Sequence, residues 1–133
     1  MFLNRLSNEQ KELFLDICLH ASKADNEFAD EEKLTIEQYC EEMHIDVRFE
    51  EQATVDEAAE KLLEISTPTD LKIILLETAS LLLADNEYDE SEKRFFESFT
   101  AKLGLTKEQL DGVFALLGEL TEIYSKINEF VFG

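Results

Sequence analysis

Acidic side chains recur twice in one pattern, sixty residues apart. The ten residues from Ala24 to Lys33 read ADNEFADEEK, those from Ala84 to Lys93 read ADNEYDESEK, and six of the ten positions are identical. Each copy holds five carboxylates and no base between its first aspartate and its last glutamate. Carboxylate and amide oxygens are preferred by Ca²⁺, Mg²⁺ and Mn²⁺, whereas zinc prefers histidine and cysteine. The repeat therefore points to hard divalent cations.

Asp25 and Asp85 are the members of this pattern that ordinary helix chemistry explains least. Each is predicted to follow the last turn of a helix, where the helix dipole is negative and a carboxylate is unfavourable. Lys23 could compensate in the first copy, but the second has no Lys or Arg from Ile73 through Glu92. We therefore expect both turns to attract a cation or a distant basic residue.

The spacing of these carboxylates is not that of an EF-hand. Counted from Asp25, the sixth position is Asp30 where an EF-hand needs glycine, and the twelfth is Ile36 where it needs glutamate. The second copy departs in the same way. A structural interpretation stays open, because carboxylates in the first turn of a helix complement the positive end of its dipole. It applies to Asp30, Glu31, Glu32, Asp89, Glu90 and Glu92.

Composition narrows the classes of partner. The 133 residues are 44% hydrophobic and carry a formal net charge of −19, from 31 acidic and 12 basic side chains. This charge repels phosphate backbones and anionic lipids, so direct binding to nucleic acid or a membrane surface is not expected.

The start, MFLNRLSNEQ, lacks the apolar stretch of a signal peptide, and a cytoplasmic location is predicted. Cys18 and Cys40 lie among apolar residues at helical spacing and are predicted to be buried structural thiols.

Four glycines and one proline leave few helix breakers, so six or seven helices and no strand are predicted. The approximate spans are 9–24, 31–43, 54–65, 71–84 and 90–103, with a final helix that runs from the Thr106 cap to about Phe130. Ser7 with Gln10 and Thr106 with Gln109 have the spacing of capping boxes, and Gly104 has the position of a left-handed C-cap.

The sequence also predicts how several of these helices pack. The helix over 71–84 is apolar nearly all round and is predicted to lie in the middle of a bundle. The final helix is expected to be mostly core packing, with an apolar end at Phe130, Val131 and Phe132 that could dock a partner. Leu34 is expected on the buried side of the second helix. Glu77 is expected at the bundle edge, in solvent or beside a lysine, with an approach to the second acidic turn as the alternative.

The repeat organises the chain into two halves, about 13–45 and 73–105, each of which reads as helix, acidic turn, helix. Residues 1–133 are therefore predicted to form one all-α domain, a pseudo-symmetric helical bundle. No catalytic set emerges, because the two imidazoles, His20 and His44, each lie near a predicted helix end. Paired carboxylates could serve a hydrolase, but no cleft motif accompanies them.

The two acidic segments resemble those of the TerB-like family, the tellurite-resistance TerB group and its relatives. That family carries paired Ala-Asp-Gly-Glu segments, each followed by a glutamate at the start of the next helix. Here asparagine replaces the glycine in both copies. The resemblance spans Leu13 to Leu105 and implies an all-helical bundle of two similar halves.

The resemblance also implies a function. It implies binding of a divalent cation, Ca²⁺, Mg²⁺ or Mn²⁺, at the matched positions Asp25, Glu27, Glu32, Asp85, Glu87 and Glu92. A role in stress or metal-related assemblies is implied as well, often beside a membrane partner and without enzymatic activity. Ala29 stands where a capping side chain is expected, so the first site is expected to be the looser one. The alternative is a metal-free adaptor whose negative surface recognises a protein partner with a basic face.

Overall fold

The computed structural model describes residues 1–24, 28–83 and 90–133. Over these ranges a short 3-10 segment, Leu3–Arg5, precedes six α-helices, and no residue is in a strand. The helices are α1 (Asn8–Ser22), α2 (Asp30–Met43), α3 (Val55–Ile65), α4 (Pro68–Leu82), α5 (Glu90–Lys102) and α6 (Lys107–Phe132). The prediction of an all-α chain is confirmed for this part of the molecule.

The first and last helices begin at the capping boxes that the sequence predicts. Ser7 Oγ accepts from the Gln10 N–H at 3.2 Å, and Gln10 Oε1 accepts from the Ser7 N–H at 2.8 Å. Thr106 and Gln109 make the same reciprocal pair at the start of α6. These bonds satisfy amide donors that a helix start otherwise leaves without a partner.

Helix α4 begins three residues earlier than predicted. Thr67 caps it by accepting from the Asp70 N–H at 3.1 Å, and Pro68 is its first residue. Proline is well suited to this position because its fixed φ is helical and its missing N–H would have no partner there. Gly104, just past the end of α5, has a φ of 75°, which confirms the predicted left-handed C-cap.

The first helix of each sequence repeat, α1 in one half and α4 in the other, lies at the centre of the bundle. Helix α1 packs against α2, α3, α4 and α5, and α4 also contacts α6 and the 3-10 segment. The predicted central place of the apolar helix is therefore confirmed. Fully burying a Leu or Phe side chain contributes about 1.5–3 kcal/mol, so this interior is the main source of stability. The largest fully buried side chains include Phe14, Phe96, Phe99, Leu15, Ile17 and Ile74.

Two packing expectations are wrong. Leu34 is 55% exposed on α2, because Ile36, Cys40 and Met43 form the buried side of that helix. Helix α6 contributes a buried side chain to the core only at Leu117. Its apolar residues beyond that point lie at the surface, since α6 extends past the helices that cover its first half.

Candidate cation-binding site

Glu32 and Glu92 occupy equivalent positions in the two repeats, and both are buried, at 4% and 3% exposure. Each is the third residue of its helix, α2 or α5. Glu32 Oε1 accepts from the Ala29 N–H at 3.3 Å. The positive end of a helix dipole stabilises a carboxylate at this position and offsets part of the cost of burying it. The fold thus brings one buried carboxylate to the start of the second helix in each half.

The other four predicted ligands, Asp25, Glu27, Asp85 and Glu87, lie outside the described residues. Whether the two acidic turns lie near each other falls there too. Within 1–24, 28–83 and 90–133, no group of three His, Cys, Asp or Glu side chains has a geometry that could hold a metal ion. The described part of the chain therefore contributes one carboxylate to each predicted site.

Cationic groups are distributed unequally around the two repeats. Lys23 Nζ lies 5.5 Å from the ring centroid of Phe28, and Lys33 Nζ lies 5.4 Å from it. Sixty residues further on, Lys33 is matched by a lysine and Lys23 is matched by Leu83, while Arg94, which follows the second segment, has Leu34 as its counterpart. The two repeats therefore differ in where their bases lie: only the first has a base immediately before its acidic segment, and that ammonium group disfavours a bound cation there.

Lys23 is engaged by the segment that joins α2 to α3. Its Nζ donates to the Phe49 carbonyl at 2.6 Å and lies 3.3 Å from a Glu51 carboxylate oxygen. His20 Nε2 donates to the Ala53 carbonyl at 2.8 Å, so this histidine ties the same segment to α1. Burial opposes ionisation of Glu51, but its own backbone N–H and the ammonium of Lys23 outweigh burial and lower its pKa.

A second ion pair, which no sequence pattern predicts, holds this segment against α1. Asp16 is buried, and its Oδ1 accepts from Arg48 Nη1 at 2.7 Å and from the Gln52 N–H at 2.9 Å. Arg48 also donates to the Glu12 carbonyl at 3.0 Å. An acid in the middle of a helix and an arginine in a loop show no sequence pattern that pairs them.

Glu77 has a different partner from the one expected. It is 2% exposed, and its Oε1 accepts from the Met1 amino group at 2.9 Å and from the Phe2 N–H at 3.4 Å. Glu42 accepts from the same amino group at 3.3 Å. Burial lowers the pKa of the amino group, but its bonds to Glu77 and Glu42 outweigh this effect and raise the pKa. The expectation of solvent or a lysine is wrong, because the start of the chain supplies the cation.

Cys18 and Cys40 are buried and unbonded to each other, as predicted for structural thiols. Burial raises the pKa of both thiols, that of Cys18 most strongly. The thiolate is the reactive and metal-binding form of cysteine, so the raised pKa values disfavour nucleophilic or metal chemistry at both sulfurs.

A cavity of about 530 Å³ lies between α5 and α6. Its lining combines apolar side chains such as Phe96, Leu110 and Phe114 with two lysines and two acids. The mixed lining gives the cavity no dominant charge. It is lined by Lys93, Phe96, Glu97, Thr100, Ala101, Leu105, Lys107, Leu110, Asp111 and Phe114.

Over the described residues, the chain is an acidic, all-helical bundle with a buried glutamate at the start of α2 and of α5. The crystal structure of a tellurite resistance protein from Nostoc punctiforme PCC 73102 has this fold, with a TM-score of 0.70 and 20% sequence identity. The match covers 96% of the present chain and 82% of the other. No protein-family model matches the sequence, and a comparison with curated proteins finds no match either. The TerB-like resemblance is thus supported at the level of the fold.

Over the described residues, no helix combines the length and the apolar character needed to cross a bilayer.

Proposed function

We propose that this protein is a non-enzymatic TerB-like domain that binds divalent cations at its two acidic turns, with the second turn as the stronger site. The observation that carries the proposal is the burial of Glu32 and Glu92 at matched positions. A buried carboxylate is costly unless hydrogen bonds and positive charge compensate it. A cation held between this carboxylate and the acids before it would add positive charge to the compensation that the helix start already provides in each half.

The ranking of the two sites rests on the neighbouring bases. Lys23 and Lys33 both lie beside Phe28 in the first repeat, whereas the second has Leu83 in place of the first of these lysines. A nearby ammonium group competes electrostatically with a bound cation. The second turn, around Asp85 and Glu92, is therefore expected to bind with higher affinity.

The proposal is tested by thermal unfolding of protein stripped with EDTA and then supplied with Ca²⁺, Mg²⁺ or Mn²⁺. A ligand at one hundred times its dissociation constant stabilises by about 2.7 kcal/mol, which raises the melting temperature by roughly 10 °C for a chain of this length. Asp85→Asn with Glu92→Gln should abolish most of the shift. Asp25→Asn with Glu32→Gln should abolish less of it.

A matched control removes two carboxylates from exposed helix surfaces. Glu37→Gln with Glu60→Gln makes the same change in net charge at exposed positions of α2 and α3. This variant should keep the full shift. Melting that is indifferent to all three cations would contradict the proposal, as would an equal loss of the shift in the control. Indifference would favour the metal-free adaptor, whose affinity for a basic protein should then fall with added salt.

We extend the proposal to a role in stress or metal-related assemblies, because the structural neighbour is described as a tellurite resistance protein. In the organism that carries the gene, deletion should reduce growth in tellurite or in excess divalent metal. The wild-type gene should restore growth, and the Asp85→Asn, Glu92→Gln variant should not. Unchanged growth of the deletion strain in both media would contradict this extension. Cation binding itself is tested separately by the thermal unfolding experiment.

A further inference from the structure

The second half of α6 presents an apolar surface that no described residue covers. Seven large apolar side chains of α6 are more than half exposed, from Ile127 at 52% to Phe130 at 89%, and six of them, from Leu116 to Val131, share one side of the helix, whereas Phe132 points to another side. These six form the α6 stripe, which consists of Leu116, Ile123, Tyr124, Ile127, Phe130 and Val131. Helix α6 has 26 residues and is about 39 Å long, so the part beyond Leu117 extends for roughly 22 Å.

The spacing along this surface is that of a coiled-coil seam. Apolar residues recur at alternating intervals of three and four, the a and d positions of a heptad. The series is Val113, Leu116, Leu120, Ile123, Ile127 and Phe130. Such a seam is narrower than the face of a helix that packs into a globular core, and it is suited to one facing helix.

The exposed area is large enough for a stable interface. The exposed parts of the α6 stripe amount to roughly 700 Å², whereas a patch on a typical monomer is about 300–600 Å² at most. Two such patches in contact bury ~1,400 Å², which falls within the ~1,200–2,000 Å² of stable protein interfaces. The area of the stripe is therefore sufficient for a stable pair of identical patches.

The charges beside the seam select an orientation. One edge carries Glu119 and Lys126, while the other carries Tyr124 and Val131. Antiparallel pairing places like edges together, so Glu119 of each copy faces Lys126 of the other. Parallel pairing would place the charged edge of one copy on the apolar edge of the other. The chain therefore complements itself in the antiparallel orientation.

Net charge favours the same orientation. Each chain carries −19, and the α6 side chains that pack on the core, Leu110, Val113, Phe114 and Leu117, all lie in the first half of the helix. Parallel pairing would bring two acidic bundles side by side, where they repel each other. Antiparallel pairing places the bundles at opposite ends of the paired helices.

We infer that the α6 stripe is covered by the α6 stripe of a second copy, in an antiparallel pair centred between Leu120 and Ile123. Two ion pairs flank the apolar seam in this dimer. In each of them, Glu119 of one copy pairs with Lys126 of the other copy. Lys126 already lies 3.5 Å from Glu122 of its own helix, so it bridges two carboxylates. The inference does not depend on cation binding.

Sedimentation equilibrium at micromolar concentrations tests this pairing. The wild-type chain should have twice the 15.3 kDa monomer mass. Ile123→Gln with Ile127→Gln removes apolar area at already exposed positions and should weaken the dimer more than about a hundredfold. Ser125→Gln with Glu129→Gln, on the opposite face of the same helix, should leave the mass unchanged. A monomer throughout the concentration range, or an Ile variant as dimeric as the control, would overturn the inference.

Charge exchange tests the orientation. Glu119→Lys and Lys126→Glu should each weaken the dimer about fivefold at low salt, as expected when two exposed ion pairs become repulsive. The double variant exchanges the two charges and should recover wild-type affinity. Failure of the double variant to recover would overturn the antiparallel arrangement. Circular dichroism of each variant should show unchanged helix content, since all substituted positions are exposed.

Discussion

Thr78 lies within α4 with a fully buried side chain, and its hydroxyl finds no hydrogen-bond partner in the described part of the chain. Burying such a group without a partner costs about 1–3 kcal/mol. Thr78→Val replaces the hydroxyl by a methyl group of similar shape and keeps the branched Cβ. We expect the free energy of unfolding, measured by urea denaturation, to rise by about 1 kcal/mol.

Thr100 provides the matched control for this substitution. It is also buried in a helix, but its Oγ1 donates to the Phe96 carbonyl at 2.7 Å. Thr100→Val removes a satisfied donor and should lower stability by about 0.5–1.5 kcal/mol. Equal losses in the two variants would show that the two hydroxyls have equivalent environments and would refute the prediction.

At the scale of elements, α6 contains two glycines whose purpose the sequence does not reveal. They could weaken the helix or permit close packing against another one. A Cβ built at Gly112 or Gly118 meets no atom within 4 Å, so close packing does not explain either residue within the described structure. Gly118→Ala should therefore raise the free energy of unfolding by about 1 kcal/mol, the helix-propensity difference between the two residues.

Gly104 gives the opposite expectation at the end of α5. An added Cβ there also meets no atom within 4 Å, but the φ of 75° lies in the left-handed region. Gly104→Ala should lower stability by about 1 kcal/mol, because an alanine is strained in that conformation. Urea denaturation of both variants at one protein concentration separates the effects. Destabilisation by Gly118→Ala would indicate a role for that glycine outside helix propensity.

Helix boundaries were largely predictable because they are fixed by neighbouring residues. The caps at Ser7, Thr106 and Gly104 each depend on atoms within five residues, and all three are present. The partner of Glu77 was not predictable, because it lies 76 residues away at Met1. The exposure of α6 was not predictable either, since an apolar periodicity shows that a face is to be covered but not whether the same chain covers it.

The candidate site was predictable to a smaller extent. The sixty-residue repeat places Glu32 and Glu92 at equivalent positions, but the spacing gave no reason to expect that both side chains are buried. Asp16 and Arg48 were missed because ion pairs between a helix and a loop leave no periodic signal. Local patterns thus locate candidate ligands, while long-range charge partners need the structure.

At the scale of the whole molecule, the charge of −19 coexists with carboxylates that hold elements together. Asp70 joins α4 to α1, since its Oδ2 accepts from Thr67 N–H and from Gln10 Nε2, both at 3.0 Å. Glu51 joins the α2–α3 connection to α1 through Lys23. These two carboxylates stabilise the fold only while they are ionised, in contrast to the acids whose main effect is mutual repulsion.

Both carboxylates have lowered pKa values in the folded state. The Thr67 N–H lowers the pKa of Asp70 most, against a smaller opposing effect of burial, and Gln10 lowers it further. Burial alone would raise the pKa of Glu51, but the bonds from its own N–H and from Lys23 lower it overall. A group with a lowered folded-state pKa stabilises above its unfolded pKa, and this stabilisation is lost as the pH falls through the folded value.

Asp70→Asn with Glu51→Gln should therefore be less stable than the wild type at neutral pH, and the difference should shrink once the pH falls below the ordinary carboxylate pKa of about 4. Repulsion among the remaining acids changes almost equally in both proteins, so the difference between their free energies of unfolding isolates these two groups. Urea denaturation at a series of pH values measures it. Glu37→Gln with Glu60→Gln, which removes two exposed charges, should differ from the wild type by a small amount without that acid-dependent loss. A difference that stays constant across the pH series would contradict the prediction, because a loss that arises from the charge of these two groups must disappear once they are protonated.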